Sequence, residues 1–528
     1  MASRIDRRNE FGYGRRMVSR RNILFIVVDQ WRADALGCAG NPILKTPNLD
    51  RLAADGVLCR RHFVQASPCG PSRAALLTGT YQHNNGVVRN GTPLARRFTN
   101  IALECRKAGY DPALFGYTDT TVDPTGLDPA DPALRTYESV MPGFSAELVL
   151  PERPLPWMAH LQARGYPFAD DVTEVYRPAA GVDGGCGPTF APARFRAEDS
   201  ITAFLTDALL DYISVRRGTS WFAHAAYIRP HPPFVAPAPY HALYDAAAMV
   251  PPVRAATAER EARQHPLLAS YLRTQRQASY FVTGQGVVSA LGDAEIAQLR
   301  ATYYGMVQEV DDQVGRLIDR LKEWGLYDET LIVVTSDHGE MLGDHWMLGK
   351  QGYFDEAYHV PLIVRDPSRM ADAARGSAID RFTEAVDVMP TILEWCGLNA
   401  PRQCDGRSLL PLVHGRNVSD WRGEVHWEFD FRGLGPADSE KELGLPMDAC
   451  SLAVIRDERH KYVHFAALPP LFFDLARDPH CLDDLSRDPT AAPAMLACAQ
   501  KMLSWRILSS ERGFTGMAAS PDGLQVRS

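Results

Sequence analysis

"NILFIVVDQW", residues 22–31, is the stretch that decides the fold. Ile23 to Val28 are apolar without interruption, and Asp29 ends the run. A short continuous apolar run rich in β-branched residues suits a parallel strand covered on both faces. Downstream, "TPNLDRLAADG" (46–56) offers Thr46 as a helix cap, Pro47 at the first helical position and Gly56 as a stop. The alternation continues with a strand pattern in "WFAHAAYI" (221–228). An amphipathic helix follows over 301–325, where Val307, Val310, Val314, Leu317 and Leu321 recur at three and four. "ETLIVVTSDHGE" (329–340) is again a strand, ending in Asp337, and "VPLIVRDP" (360–367) is one more. Strands alternating with helices predict an α/β fold with a large, mostly parallel sheet flanked by helices.

Residues 123–200 are Pro- and Gly-rich and read as long loops over the sheet; 251–290 read as a helical excursion. Past about residue 400 the texture changes. "CSLAVIRDERHKYVHF" (450–465) shows two β-rich runs around a polar turn. The expected division is a basic arm over 1–20, a main α/β domain over 21–400 and a smaller C-terminal α+β domain over 401–528. The latter carries a short antiparallel sheet and a polar tail (506–528) that reaches over a neighbouring subunit.

The chain has 528 residues, 45% hydrophobic and 23% charged, with a net charge of −8. That balance argues against a nucleic-acid binder, which needs a basic surface to release counterions. Arg4, Arg7, Arg8, Arg15, Arg16, Arg20 and Arg21 crowd the start, but the apolar run that follows is too short for a signal peptide. The stretch reads as a solvated arm. No run approaches the ~18 apolar residues of a membrane span. Ten scattered cysteines contain no C-x-x-C pair. Without an export signal, reduced thiols and a cytoplasmic location are expected, and the sequons at Asn90 and Asn417 then carry no meaning.

Asp29 is followed by Gln30, and Asp337 by His338. Ligands bind beyond the carboxyl ends of strands in open α/β sheets, so the two acids could meet at one cation. Either acid alone would serve equally well as the cap of a turn. Carboxylates with an amide oxygen suit Mg²⁺, Ca²⁺ or Mn²⁺, and His338 as a further ligand shifts preference toward Mn²⁺. "SPCGPSRAALLTG" (67–79) sets Cys69 between Pro68 and Pro71, at the start of a helix that Gly79 stops. A helix N-terminus favours anions, so Cys69 sits where a nucleophile facing an anionic group belongs, with Arg73 one turn on along the same face. The bland reading of a lone cysteine is a small buried hydrophobe.

Cys69-Gly70-Pro71-Ser72-Arg73 followed by Leu77-Thr78-Gly79 resembles the signature of the sulfatase family, in the alkaline-phosphatase-like superfamily. In that family the cysteine is oxidised to formylglycine, whose hydrate attacks sulfur or phosphorus. The resemblance spans roughly 22–400, and "HKYVHFAALPPLFFDLARDP" (460–479) is similar to the family's C-terminal domain. "NILFIVVDQWRAD" (22–34), "YDPALFGYT" (110–118), "RPHPPFVA" (229–236) and "TSDHGEMLGDHWMLGK" (335–350) resemble the phosphonate monoester hydrolase/phosphodiesterase branch most. Arylsulfatases of the family carry a second acid where this chain has Gln30, and often Asn where it has His338.

The resemblance implies an alkaline-phosphatase-like fold and a metal-dependent hydrolase of phosphonate monoesters and phosphate diesters, promiscuous toward sulfate esters. Asp29, Gln30, Asp337, His338 and modified Cys69 would hold one divalent ion, Mn²⁺ by preference, with Ca²⁺, Mg²⁺ or Zn²⁺ possible. Arg73 would orient the formylglycine, Lys350 would contact the transferred group or leaving oxygen, His231 would act as acid or base, and Asn90 and Tyr117 would line the substrate pocket. The implied partners are a small-molecule phosphonate or phosphodiester, a formylglycine-generating enzyme and other copies of the chain in a tetramer. Bland rivals are a turn at His231 and Asn90, a solvated charge at Lys350 and core packing at Tyr117; His345 either supports the site from behind or merely packs. Position 119 holds Asp where the family places Thr, so it either points away or changes the substrate range. Three alternatives stand: an arylsulfatase, a non-catalytic relative with unmodified Cys69, and a phosphatase using the thiolate itself.

Overall fold

The computed structural model describes residues 21–168, 171–179, 187–433 and 439–526; the expected basic arm over 1–20 lies outside them. In chain order the strands are β1 (Asn22–Val28), β2 (Val57–Phe63), β3 (Ala66–Ser67), β4 (Pro112–Gly116), β5 (Ser145–Val149), β6 (Phe222–Tyr227), β7 (Thr330–Ser336), β8 (His359–Arg365), β9 (Ser377–Glu384), β10 (Val425–Asp430), β11 (Ser451–Arg456), β12 (His460–Phe465), β13 (Leu471–Asp474), β14 (Met517–Ser520) and β15 (Gly523–Val526). The main sheet has eight strands in the order β5-β4-β6-β1-β7-β8-β2-β9. Its pairs are parallel except those of β8, which runs against β7 and β2. This is the alkaline-phosphatase-like arrangement anticipated from the sequence.

β1 shows why its sequence is apolar without alternation. Ile23, Phe25 and Val27 face one core and Leu24, Ile26 and Val28 the other. The first core takes in the helices Cys69–Thr78 and Val388–Trp395. The second is built on the helices Ile201–Ser214 and Asp293–Glu323. Val307, Val310, Val314, Leu317 and Leu321 are all buried there, as their spacing predicts. That helix starts earlier than the periodicity suggests, because Glu295 accepts the Gly292 N–H at 2.8 Å and closes its first turn.

Two expectations need correction. Thr46 stands at the cap position of helix Pro47–Asp55 but does not cap it: its hydroxyl accepts from Gly37 N at 2.8 Å and donates to Asp50 at 3.0 Å. The free amides of Asn48 and Leu49 instead donate to Asp311, at 3.1 and 2.8 Å, from the long helix packed alongside. The stretch 123–200 is not loops alone. It supplies the edge strand β5 and the helix Leu155–Ala163, hidden from a pattern search because β5 is only half-buried and Pro154 and Pro156 mark a helix start rather than a loop.

A second sheet has the order β13-β12-β11-β10-β3, antiparallel apart from β10 with β3. Its β11–β12 pair is the two-run pattern read at 450–465. Its fifth strand comes from far upstream: Ala66 pairs with Glu428 and Ser67 with Phe429, two residues before Cys69. The tail forms an antiparallel pair, β14–β15. Among the described residues no helix is long and apolar enough to cross a membrane.

Candidate active site

Strand register brings the site together. Val28 of β1 lies beside Ser336 of β7 and Tyr227 of β6, so Asp29 and Asp337 leave the sheet side by side, next to the loop that carries His231. β4 ends in Gly116 at φ 110°, where a Cβ would come within 2.3 Å of the Ala226 carbonyl oxygen. Only glycine fits that approach, which turns Tyr117 and Asp119 toward the same spot. Cys69 opens its helix and Gly79, at φ 68° with its N–H on Ala75 O, closes it.

Cys69 Sγ lies 3.2 Å from His338 Nε2, 3.2 Å from Lys350 Nζ and 3.9 Å from Asp29 Oδ1. One ligand atom each from Asp29, Cys69, Asp337 and His338 fall within 4.8 Å of one another, all buried. Arg73 ties the acids together: Nε donates to Asp337 Oδ2 at 2.9 Å and a terminal nitrogen to Asp29 Oδ2 at 3.3 Å. Its guanidinium lies 4.1 Å above the Tyr117 ring. Tyr117 is buried, but not as mere core, since its hydroxyl donates to Asp29 Oδ2 at 2.6 Å.

The donor atoms are pre-oriented. His338 Nδ1 donates to Gly339 O at 3.1 Å, which leaves Nε2 with its lone pair toward Cys69. Gln30 has φ 68°. Its Nε2 donates to Glu340 Oε2, and its Oε1 accepts from Lys350 Nζ at 2.9 Å, so the amide oxygen faces the cluster. His231 Nδ1 bonds Pro232 O at 2.8 Å, leaving Nε2 for the cavity. Asn90 Oδ1 accepts from Gly70 N at 2.8 Å, leaving its NH₂ to point elsewhere. Asp29, Cys69, Asn90, Tyr117, His231 and Lys350 line one cavity of about 50 Å³. His345 stands apart: it is buried, paired with Glu261 and stacked on Phe354 at 3.6 Å. Asp119 does not point away; it lines the cavity too.

The electrostatics follow from crowding. Burial alone would raise Asp29, but His231, Lys350, His338 and Arg73 together hold it below the ordinary carboxylate range. Burial, then repulsion from Asp29, pushes Asp337 up to about 8. Burial and Lys350 keep His338 neutral. Two carboxylates, a neutral imidazole nitrogen and an oriented amide oxygen fit a divalent cation, which would let both acids ionise together. Burial and Asp29 push the Cys69 thiol up.

Sequence reasoning missed several participants. Glu340 fixes Gln30 and also accepts the amides of Leu342 and Gly349 at 3.0 and 2.6 Å; its acid stood in the 335–350 stretch, three residues after Asp337, and was readable as a candidate. Ser72 Oγ donates to the Asp337 carbonyl. Arg229 holds the His231 loop by donating to His231 O and Pro233 O, both at 2.9 Å. Glu138 and Glu152 line the cavity from the segment read as loops, where no pattern announces them.

A sulfatase family model matches residues 21–398, and one described as N-sulphoglucosamine sulphohydrolase, C-terminal, matches 343–507. The multifunctional alkaline phosphatase superfamily protein PehA of Trinickia caryophylli is 45% identical over 97% of this chain and 100% of its own length. Among solved structures, the phosphonate monoester hydrolase of Agrobacterium radiobacter is 44% identical at a TM-score of 0.93, covering 96% of this chain and 100% of its own. The corresponding hydrolase SpPMH of Silicibacter pomeroyi is 43% identical at 0.90, covering 96% and 99%. On the extent of the family match and of the identity to these relatives, the chain belongs to the sulfatase family.

Proposed function

We propose that this protein hydrolyses phosphonate monoesters and phosphate diesters with the help of a divalent metal ion and a formylglycine formed from Cys69, and turns over sulfate esters as a side activity. The observation that carries the reading is the meeting of Cys69 with Asp29, Asp337, His338 and Lys350 at one buried point. Gln30 and His338, in place of the arylsulfatase residues, favour phosphorus over sulfur, as does the similarity to two phosphonate monoester hydrolases.

Asp29, Gln30, Asp337, His338 and the residue at 69 would hold one ion, Mn²⁺ in preference to Ca²⁺, Mg²⁺ or Zn²⁺ because of the imidazole. Such an ion supplies positive charge to a phosphoryl oxygen and acidifies a hydroxyl. A hydrated formylglycine at position 69 would supply a hydroxyl nucleophile and a second ionisable hydroxyl. The chain's own groups do the rest. Lys350 Nζ, at 3.2 Å from the nucleophile's position, offsets charge on the phosphorus oxygens. His231, pushed down to about 4 by burial and Lys350, is neutral near pH 7 and offers Nε2 as the base. Arg73 and Tyr117 hold the acids in place, and Asn90 donates an amide N–H to the substrate.

Cys69 is only 5% exposed once folded, so the modifying enzyme must meet it as an extended Pro-flanked peptide before folding completes. Residues 21–400 form the catalytic unit and 401–528 the smaller one, in a cytoplasmic homotetramer. Exposed Ile507, Leu508, Phe514 and Leu524 give the tail apolar side chains for subunit contact.

The test is a panel of p-nitrophenyl phenylphosphonate, bis-p-nitrophenyl phosphate and p-nitrophenyl sulfate, with mass mapping of residue 69 on the same sample. The expected result is fastest turnover of the phosphonate and diester, with residue 69 having lost sulfur and two hydrogens and gained one oxygen. Sulfate turning over fastest would make the protein an arylsulfatase. An unmodified thiol without activity would make it a non-catalytic relative.

A further inference from the structure

A small separate core lies between the second sheet and the helix Ala492–Leu508. At its edge Asp457, His460 and Cys498 each bring one ligand atom within 4.8 Å of the other two. None of the three belongs to the hydrolytic site. Asp457 and His460 stand in the turn between β11 and β12, and Cys498 comes from the helix.

The turn is fixed by its own backbone. Asp457 N donates to His460 O at 3.0 Å. Asp457 Oδ1 accepts the amides of Arg459 and His460 at 2.9 and 2.7 Å, which leaves Oδ2 for another partner. The His460 ring stacks on Phe472 at 5.4 Å and sets Nδ1 3.9 Å from Asp457 Oδ1. Cys498 is buried beside them. A second observation points to a cation here. Lys501, one helical turn after Cys498, places Nζ 3.4 Å from Asp457 Oδ2 and 3.2 Å from Glu424 Oε2. Two carboxylates from different elements thus converge on one positive charge. The Lys501 side chain is 47% exposed, so it is free to swing into solvent and yield both acids to an ion. A cavity of about 480 Å³, lined by Glu424, Asp457, His460 and Lys501, gives the ion its way in. Arg61, Arg422 and Arg459 share the cavity wall and are balanced by Glu458, Asp387 and Asp474.

We propose that Asp457, His460 and Cys498 form a zinc site separate from the hydrolytic centre, with Glu424 as a fourth ligand once Lys501 leaves. A thiolate, an imidazole and carboxylates are the donors that zinc takes in a tetrahedron. The sulfur sets this site apart from the harder, oxygen-rich set at Asp29 and Asp337. On binding, the Cys498 proton passes to solvent. The ion clips the helix to the β11–β12 turn across a core of six buried residues, and so stabilises the folded chain.

The test titrates full-length Cys69→Ala protein, which has no thiolate at the hydrolytic centre, with Co²⁺ and then with Zn²⁺. The expected result is a thiolate-to-cobalt charge-transfer band in the near ultraviolet that Zn²⁺ abolishes, together with a melting temperature that Zn²⁺ raises. In the same background, Cys498→Ala should remove the band. His460→Ala should weaken Co²⁺ binding, and so should Asp457→Asn, which keeps an oxygen for the turn amides. Lys501→Ala should tighten binding about tenfold by removing the competing charge, a gain that misfolding does not mimic. Absence of the band in the Cys69→Ala protein overturns the proposal, as does a band that survives Cys498→Ala. So do Co²⁺ affinities indifferent to both His460→Ala and Asp457→Asn, the behaviour of a thiol binding metal alone, or a Lys501→Ala protein that binds no more tightly.

Discussion

Glu340→Gln tests whether the cation site depends on an oriented amide. Glu340 is fully buried and takes three donors: Gln30 Nε2, Leu342 N at 3.0 Å and Gly349 N at 2.6 Å. A glutamine of the same shape keeps one oxygen for the two backbone amides and must present its NH₂ to the NH₂ of Gln30. Donor then meets donor. Losing a hydrogen bond to a charged acceptor costs about 1.5–3 kcal/mol, more than enough to turn the Gln30 amide over. Turned over, Gln30 shows N–H rather than oxygen to the cluster and to Lys350 Nζ, now 2.9 Å from that oxygen. Loss of a group that orients a ligand weakens metal binding about 10–100-fold.

The assay is a Mn²⁺ titration against a competing chelator, with kcat measured at saturating metal. The Kd for Mn²⁺ should rise by that factor while kcat at saturation falls less. Gln30→Glu added to Glu340→Gln places an acceptor opposite the new NH₂ and should recover part of the affinity. Unchanged affinity in the single variant, with an unchanged melting profile, would refute the account of Gln30. So would a double variant no better than the single one.

Three further outcomes are expected. Cys69→Ala should lower kcat/KM for phosphonate, diester and sulfate together, by about 10³-fold or more; loss of one activity alone would mean that the substrates use different nucleophiles. Lys350→Ala should cost about 10²–10³-fold in kcat with a smaller change in KM, as for other groups aimed at developing charge. His62 and His224, buried and each left with an unpartnered Nε2, are pushed down to about 3, chiefly by burial. Both are neutral in the folded chain and bind protons more readily once unfolded, so their contribution to stability is complete above pH 6.5 and is lost as pH falls toward 3. The slope is about 1.4 kcal/mol per pH unit for each. Calorimetric melting points should therefore drop through this window, and His62→Phe should flatten the drop.

How much of this was legible depends on the range of the interaction. A strand covered on both faces writes its end into the chain, because the first polar residue lies just past the sheet: Asp29 after Val28, Asp337 after Ser336. Helix starts and stops around Cys69 and Gly79 are equally local, so the nucleophile's turn can be read residue by residue. Gln30 is different. Its side chain reaches Glu340 only because its backbone sits at φ 68°, and no neighbour in sequence announces that. Asp119 could be noticed as an odd residue, but its aim into the cavity depends on the bend at Gly116. The least legible feature is β3. Two residues have no periodicity, yet Ala66 and Ser67 extend the C-terminal sheet through Glu428 and Phe429. Ser67 Oγ also donates to the Lys350 carbonyl at 2.6 Å. The peptide entering Cys69 is therefore held by the second sheet on one side and by the lysine's own backbone on the other. Rigidity at the nucleophile thus comes from residues beyond 400 as much as from the two prolines beside it. A chain cut near residue 400 would keep every candidate ligand and lose the strand that sets where Cys69 stands.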